Sequence, residues 1–258
     1  MDIDLRLFLL ICIAIIFAIF LVFFPVEQIG ITRFDPKHGN AILVQDGLVQ
    51  VLIAGGSDAS ILNSLSTHMS WFDRKIEVVI VPTLKSEDIT GLIPILNRYN
   101  VGTVVLPGSK PSNEQAKMLI SELLRRNIPY RFASYGDYVQ TGGILMRFMS
   151  PVASNQDITL RIDMRGLSMI VLGNADPKVQ QQLITNVPSA AFSAQLFAME
   201  QHGVKQPSST SNMRSLISPV LSLSDMPNEA SISFQSEKWL MKCYDETNLP
   251  FLQHYCIH

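Results

Sequence analysis

The chain has 258 residues, of which 47% are hydrophobic and 16% charged, and its formal net charge is -2. That hydrophobic content excludes a disordered chain, and the near-neutral charge argues against a dedicated nucleic-acid-binding surface. The length suits one large α/β domain or two small ones.

In chain order, Leu7 to Phe24 carries no charged or strongly polar side chain, and Pro25 ends the run. At 1.5 Å per residue a helix of this length reaches about 27 Å, close to the hydrocarbon thickness of a bilayer. No small-x-small cleavage site follows, so the run reads as an uncleaved single-pass membrane anchor. Residues 1–28 thus form a tail, an anchor over about 7–24 and a short spacer, and 29–258 form the globular domain. Arg6 before the run and Arg33 and Lys37 after it do not decide orientation. A short amino-terminal tail usually stays cytoplasmic, which puts the domain on the outer face of the cell membrane.

Past the anchor the period changes to two. Ile29 to Phe34 and Ala41 to Gln45 read as strands around a turn at Asp35–Asn40. Asp46–Gly47 is a hairpin signal, from which Val49 to Ile53 returns antiparallel. Gly55–Gly56 breaks the chain before a helix over Asp58 to Ser66. Val78 to Val81, four β-branched apolar residues, reads as a buried strand. A polar loop follows it, then a helix through Ile93, Leu96 and Tyr99. Ser86 supplies a hydroxyl cap there, and Glu87 and Asp88 sit at the positive end of the helix dipole. Val101 to Leu106 is the next strand. Glu114 to Arg126 is an amphipathic helix with Met118, Leu119, Leu123 and Leu124 on one face.

Short strands follow at Tyr130 to Phe132, Asp137 to Gln140 and Gly143 to Met149. This order suits a sheet with helices on one face. Ile158 to Met164 and Leu167 to Leu172 form a hairpin around Arg165–Gly166. A helix starts at Pro177, where proline is well tolerated. Gln206 to Asn212 is a polar surface loop. Leu216 to Leu223, Ala230 to Phe234 and Trp239 to Tyr244 close the domain.

Catalytic signatures are sparse. The five histidines show no metal-ligand spacing, and Cys12, Cys243 and Cys256 make no Cys-x-x-Cys pair. Cys243 and Cys256 either pair, if the domain is extracytoplasmic, or remain free thiols. There is no Gly-x-Ser-x-Gly elbow and no phosphate loop.

Several segments carry a resemblance. Val78 to Leu92 resembles the metal-binding loop of metallo-β-lactamase-fold hydrolases, as found in the soluble domain of ComEC-type competence proteins. Phe34 to Val44 and Leu52–Ile53–Ala54–Gly55–Gly56 are similar to the opening strands of that family, and Trp71 to Glu77 resembles its approach to the loop. The resemblance runs over Ile29 to Phe192 and implies an αββα sandwich preceded by one transmembrane helix. It is strong in frame: Ile89, Gly91 and Leu92 stand where the family has a hydrophobic residue and glycines.

The ligands depart from the pattern. The His-x-Asp-x-Asp-His positions fall on Thr83, Lys85, Glu87 and Asp88. The metal-bridging aspartate falls on Asn174, and the first of a later histidine pair falls on Ser189. Ala54 stands where the family has an aspartate that supports the loop. A two-zinc centre needs several histidine nitrogens and aspartate oxygens on two ions. Only Glu87 and Asp88 offer ligands of that kind, and a Lys85 ammonium repels a dication. The resemblance therefore implies a domain with no catalytic residues and no zinc, although the family uses zinc.

Its role is then binding or scaffolding linked to DNA uptake or the cell envelope, with an active homologue or an envelope assembly as partner. Lys85 is the candidate for an anion contact, or else it neutralises Glu87 and Asp88. The alternative is a metal-dependent nuclease or phosphodiesterase with a reduced or relocated metal site.

Overall fold

The computed structural model describes residues 10–15, 28–34, 41–150, 157–173, 177–199, 221–222, 230–235 and 238–243. Residues 10–15 are helical (α1) and expose Leu10, Ile11, Ile13 and Ile15. The rest of the expected span lies outside the described residues. Among the described residues no helix is long and apolar enough to cross a membrane.

Two mixed sheets form the body. The first contains β1 (Ile29–Phe34), β2 (Ala41–Asp46), β3 (Val49–Ile53), β4 (Lys75–Ile80), β5 (Asn100–Leu106), β6 (Tyr130–Phe132), β13 (Ala230–Gln235) and β14 (Lys238–Cys243). Its order is β14-β13-β1-β2-β3-β4-β5-β6. Pairing is antiparallel up to β3 and parallel from β3 to β6. The second sheet holds β7 (Tyr138–Thr141), β8 (Ile144–Phe148), β9 (Thr159–Met164), β10 (Leu167–Leu172), β11 (Leu196–Met199) and β12 (Leu221–Ser222), in the order β12-β11-β10-β9-β8-β7.

Alternation along the strands sets the layers. Val44, Val51, Ile53, Val78 and Ile80 of the first sheet meet Met146, Leu160, Ile162 and Val171 of the second in one buried core. The opposite face of the first sheet, through Leu43, Leu52, Val79 and Val104, takes α2 (Ile61–His68), α4 (Leu92–Arg98) and α5 (Glu114–Arg125). Ile170 and Leu172 of β10 face Leu183 on α6 (Pro177–Asn186) and Val187 just past its end, which is why β10 is buried along its whole length. The order of layers is helix, sheet, sheet, helix, a mixed α/β sandwich.

Several local expectations need correction. The first hairpin turns at Gly47–Leu48 rather than Asp46–Gly47, because Asp46 still pairs with Val49. Gly47 has φ 65, which suits the first central position of a type II′ turn. The first long helix begins at Ile61 instead of Asp58, whose Oδ1 accepts a hydrogen bond from the Ser60 N–H at 2.8 Å and turns the chain ahead of it. The helix expected through Tyr99 is two pieces, α3 (Ser86–Ile89) and α4, broken at Thr90–Gly91. Lys85, and not Ser86, occupies the cap position of α3, and no side chain caps it. The buried face of α5 is Ala116, Leu119 and Leu123, whereas Met118 and Leu124 are exposed. The β9–β10 hairpin turns at Arg165–Gly166 as expected, with φ 46 and φ 79.

Candidate functional site

The parallel strands β3, β4 and β5 end together, and the loop from Val81 to Thr90 leaves that edge, where open α/β sheets place ligands. Backbone bonds fix both of its ends. The Val81 N–H donates to the Val105 carbonyl at 2.9 Å, and the Ile158 N–H, just ahead of β9, donates to the Pro82 carbonyl at 2.8 Å. The Gly55 N–H donates to the Asp88 carbonyl at 2.7 Å, and the Gly91 N–H to the Gly56 carbonyl at 2.9 Å. A Cβ at Gly91 would stand 2.0 Å from the Gly55 oxygen. This backbone-on-backbone contact explains why residue 91 is a glycine and why the helix breaks between α3 and α4.

Inside the loop, Thr83 and Asp88 are each 0% exposed. The Thr83 hydroxyl donates to Asp88 Oδ2 at 2.5 Å. That distance belongs to the short class of hydroxyl–carboxylate bonds. The Lys85 N–H in turn donates to Thr83 Oγ1 at 3.2 Å. Thr83 and Asp88, two expected ligand positions, are therefore partners of each other. The sequence offers Lys85 as an anion contact or as the neutraliser of Glu87 and Asp88, and the Thr83 hydroxyl bonds one oxygen of the Asp88 carboxyl.

Lys85 and Glu87 are half-buried on the same turn. Thr90 Oγ1 donates to the Ser86 carbonyl at 2.6 Å, and Ser86 Oγ bonds Gln115 Oε1 at 3.1 Å.

Asn113 is the residue that sequence reasoning missed. Its Oδ1 caps α5 by accepting from the Ala116 N–H at 2.7 Å, while its Nδ2 donates to the Leu84 carbonyl at 2.7 Å. The signal was present, an asparagine directly ahead of Glu114 in a helical pattern, but its second role depends on a residue 29 positions away.

The other expected positions are less gathered. Ala54 has φ 58, a left-handed backbone that costs a β-carbon roughly 1–2 kcal/mol. Aspartate and asparagine tolerate that conformation better than alanine does. Gly173 packs on the loop, since a Cβ there would meet the Pro82 Cβ at 2.8 Å. Asn174, the next residue, lies outside the described residues, as do the turn at Asp35–Asn40, the loop Gln206–Asn212 and Cys256. Ser189 begins a short 3-10 turn, Ser189–Phe192, and is exposed.

Chemically this is a closed arrangement. The Thr83 hydroxyl donates to a buried carboxyl group and is shielded from solvent. Among the described residues no three His, Cys, Asp or Glu side chains come together as a metal cage.

No protein-family model matches this chain, and no curated protein does. Solved structures of the metallo-β-lactamase fold do. The fold protein YhfI from Bacillus subtilis is 13% identical over 67% of this chain and 70% of its own, with a TM-score of 0.43. A Cronobacter sakazakii metallo-β-lactamase, an S60 mutant of its HARLDQ motif, is 13% identical over 68% and 78%, with a TM-score of 0.47. Zinc-bound PqqB from Methylobacterium extorquens is 12% identical over 65% and 61%, with a TM-score of 0.45. At this identity and superposition the likenesses carry no argument about what this chain does.

Proposed function

We propose that this chain is a membrane-anchored domain of the metallo-β-lactamase type, similar to the soluble part of ComEC-type competence proteins, that binds or scaffolds and does not hydrolyse. The observation that carries the reading is the buried Thr83–Asp88 hydrogen bond. A zinc ligand directs lone pairs at an open position. Here one carboxylate oxygen accepts from a neutral hydroxyl three residues past the end of β4, at a point solvent does not reach.

The donor set does not fit a two-zinc centre. Thr83, Lys85 and Ser189 offer hydroxyls and an ammonium where the resembling family has histidines and an aspartate, and Ala54 stands at the supporting aspartate. The frame that holds the loop is intact, through Gly55, Gly91 and Asn113. A retained frame around replaced ligands fits a domain kept for its surface. The partner that the resemblance suggests is an active homologue or a DNA-uptake or envelope assembly, met on the outer side of the cell membrane.

The test is hydrolysis by the purified full chain in detergent, supplied with zinc or manganese, on bis(p-nitrophenyl) phosphate, single- and double-stranded DNA and a chromogenic β-lactam. Rates equal to those of Asp88→Ala are expected. Metal-dependent turnover that Asp88→Ala abolishes would replace this reading with that of a hydrolase using a reduced metal site.

A further inference from the structure

The end of the sandwich opposite the loop carries features that the site does not use. The strand register puts the first residues of β1, the β2–β3 turn and the first residues of β4 and β5 at this end. The chain enters here: the Gly47 N–H donates to the Gln28 carbonyl at 3.1 Å, immediately before β1. Leu48, next on the turn, is 54% exposed. The segment that delivers the chain from α2 to β4 presents Trp71 at 67% and Phe72 at 42%, their rings edge to face at 5.8 Å. β1 and β4 are separated by two strands, so these points lie within roughly 15 Å across the sheet. Arg74, Lys75 and Arg165 are at the same end and reach solvent, Lys75 bonded to Glu77 at 3.1 Å and Arg165 to Asp46 at 2.7 Å.

Exposed large apolar side chains at the same end as long cations suit a surface lying in the membrane interface, where Trp rings sit at headgroup depth and Lys and Arg extend toward phosphate. The chain's own layout selects that occupant. The apolar run Leu7 to Phe24 ends four residues before β1, and residues 25–28 extend at most about 14 Å. A domain held that close to the bilayer has this end against it.

Resting on the reading of 7–24 as a membrane anchor, we infer that the sandwich lies with Leu48, Trp71 and Phe72 in the lipid headgroup region and its closed loop at Thr83–Asp88 facing away from the membrane. The anchor and this face then form one continuous membrane-contacting surface, and a partner approaches the loop from the aqueous side.

The full chain reconstituted in phosphatidylcholine vesicles tests this. The vesicles are washed in alkaline carbonate, then remade with lipids brominated near the headgroup. The signal of Trp71 is taken as the difference between the unmodified chain and Trp71→Phe. A tryptophan at the loop end is supplied by Lys110→Trp in the Trp71→Phe background. Trp71 is expected to lose roughly half its emission to the brominated lipid, and the Lys110→Trp reporter to lose almost none. Release of the chain by carbonate overturns the anchor and the inference together. A retained chain whose Trp71 is unquenched, or whose Lys110→Trp reporter is quenched as strongly, overturns the inference and leaves the anchor standing.

Discussion

Replacing Thr83 by valine removes one hydroxyl and nearly preserves volume, so its effect isolates the bond to Asp88. Thr83 and Asp88 are both 0% exposed and the bond is 2.5 Å long. A hydrogen bond to a charged group contributes about 1.5–3 kcal/mol, and leaving its buried acceptor short of a donor costs a comparable amount. The Lys85 N–H loses its 3.2 Å acceptor as well. The first two describe the same loss from its two ends and do not add, so the net cost is about 2–4 kcal/mol. For a chain of this size about 1 kcal/mol moves the melting temperature by about 2–4 °C, so a fall of about 4–16 °C is expected.

Urea unfolding followed by far-ultraviolet circular dichroism measures the free energy directly, and a cycle with Asp88→Asn isolates the pair. The coupling is expected at about 1–3 kcal/mol. A loss below about 0.5 kcal/mol for Thr83→Val, the range of ordinary surface changes, would refute the view that this bond closes the loop.

Three further outcomes follow from the packing. Gly91→Ala forces a Cβ to within 2.0 Å of the Gly55 oxygen and 2.6 Å of the Asp58 oxygen, so it costs about 3 kcal/mol or more, read by thermal unfolding. Gly166→Ala, where a Cβ meets nothing within 4 Å, incurs only the backbone strain of φ 79, about 1–2 kcal/mol. Asp46→Ala removes the acceptor of the Gly143 N–H at 2.7 Å and the partner of Arg165 at 2.7 Å, two ties between the sheets, and is expected to cost about 1–3 kcal/mol in urea.

Burial pushes the Tyr99 phenol up, against the opposing pull of Arg98 and Arg74. The unfolded chain therefore gives up this proton first as pH rises past about 10, and stability falls there. Tyr99→Phe is expected to flatten that fall when urea midpoints at about pH 8 and about pH 10.5 are compared.

Much of this was legible locally. Period-two patterning located β1 to β3 and the β9–β10 hairpin, since each pairs with its sequence neighbour. What failed depended on distant partners. Met118 and Leu124 read as core by spacing alone, but the sheet sits under the stripe of Ala116, Leu119 and Leu123. The α3–α4 break is invisible in the run from Ser86 to Tyr99, because it is imposed by Gly55 against Gly91. The turn slipped by one residue because Asp46 is claimed by Val49, Gly143 and Arg165, partners that the dipeptide Asp46–Gly47 does not reveal. Ala230 to Phe234 and Trp239 to Tyr244 read only as closing elements, and pairing makes them strands β13 and β14 at the edge beside β1.

At the candidate site, Thr83 and Asp88 were singled out as separate lost ligands. Their bond to each other depends on the α3 turn, which brings residues five apart into contact.

The proposal that this loop holds no metal centre is tested most directly by metal content. The purified full chain is equilibrated with excess zinc, desalted and measured by inductively coupled plasma mass spectrometry, beside Asp88→Ala. Zinc well below one per chain, unchanged by Asp88→Ala, is the predicted result. One or two zinc ions per chain, lost on Asp88→Ala, would contradict it.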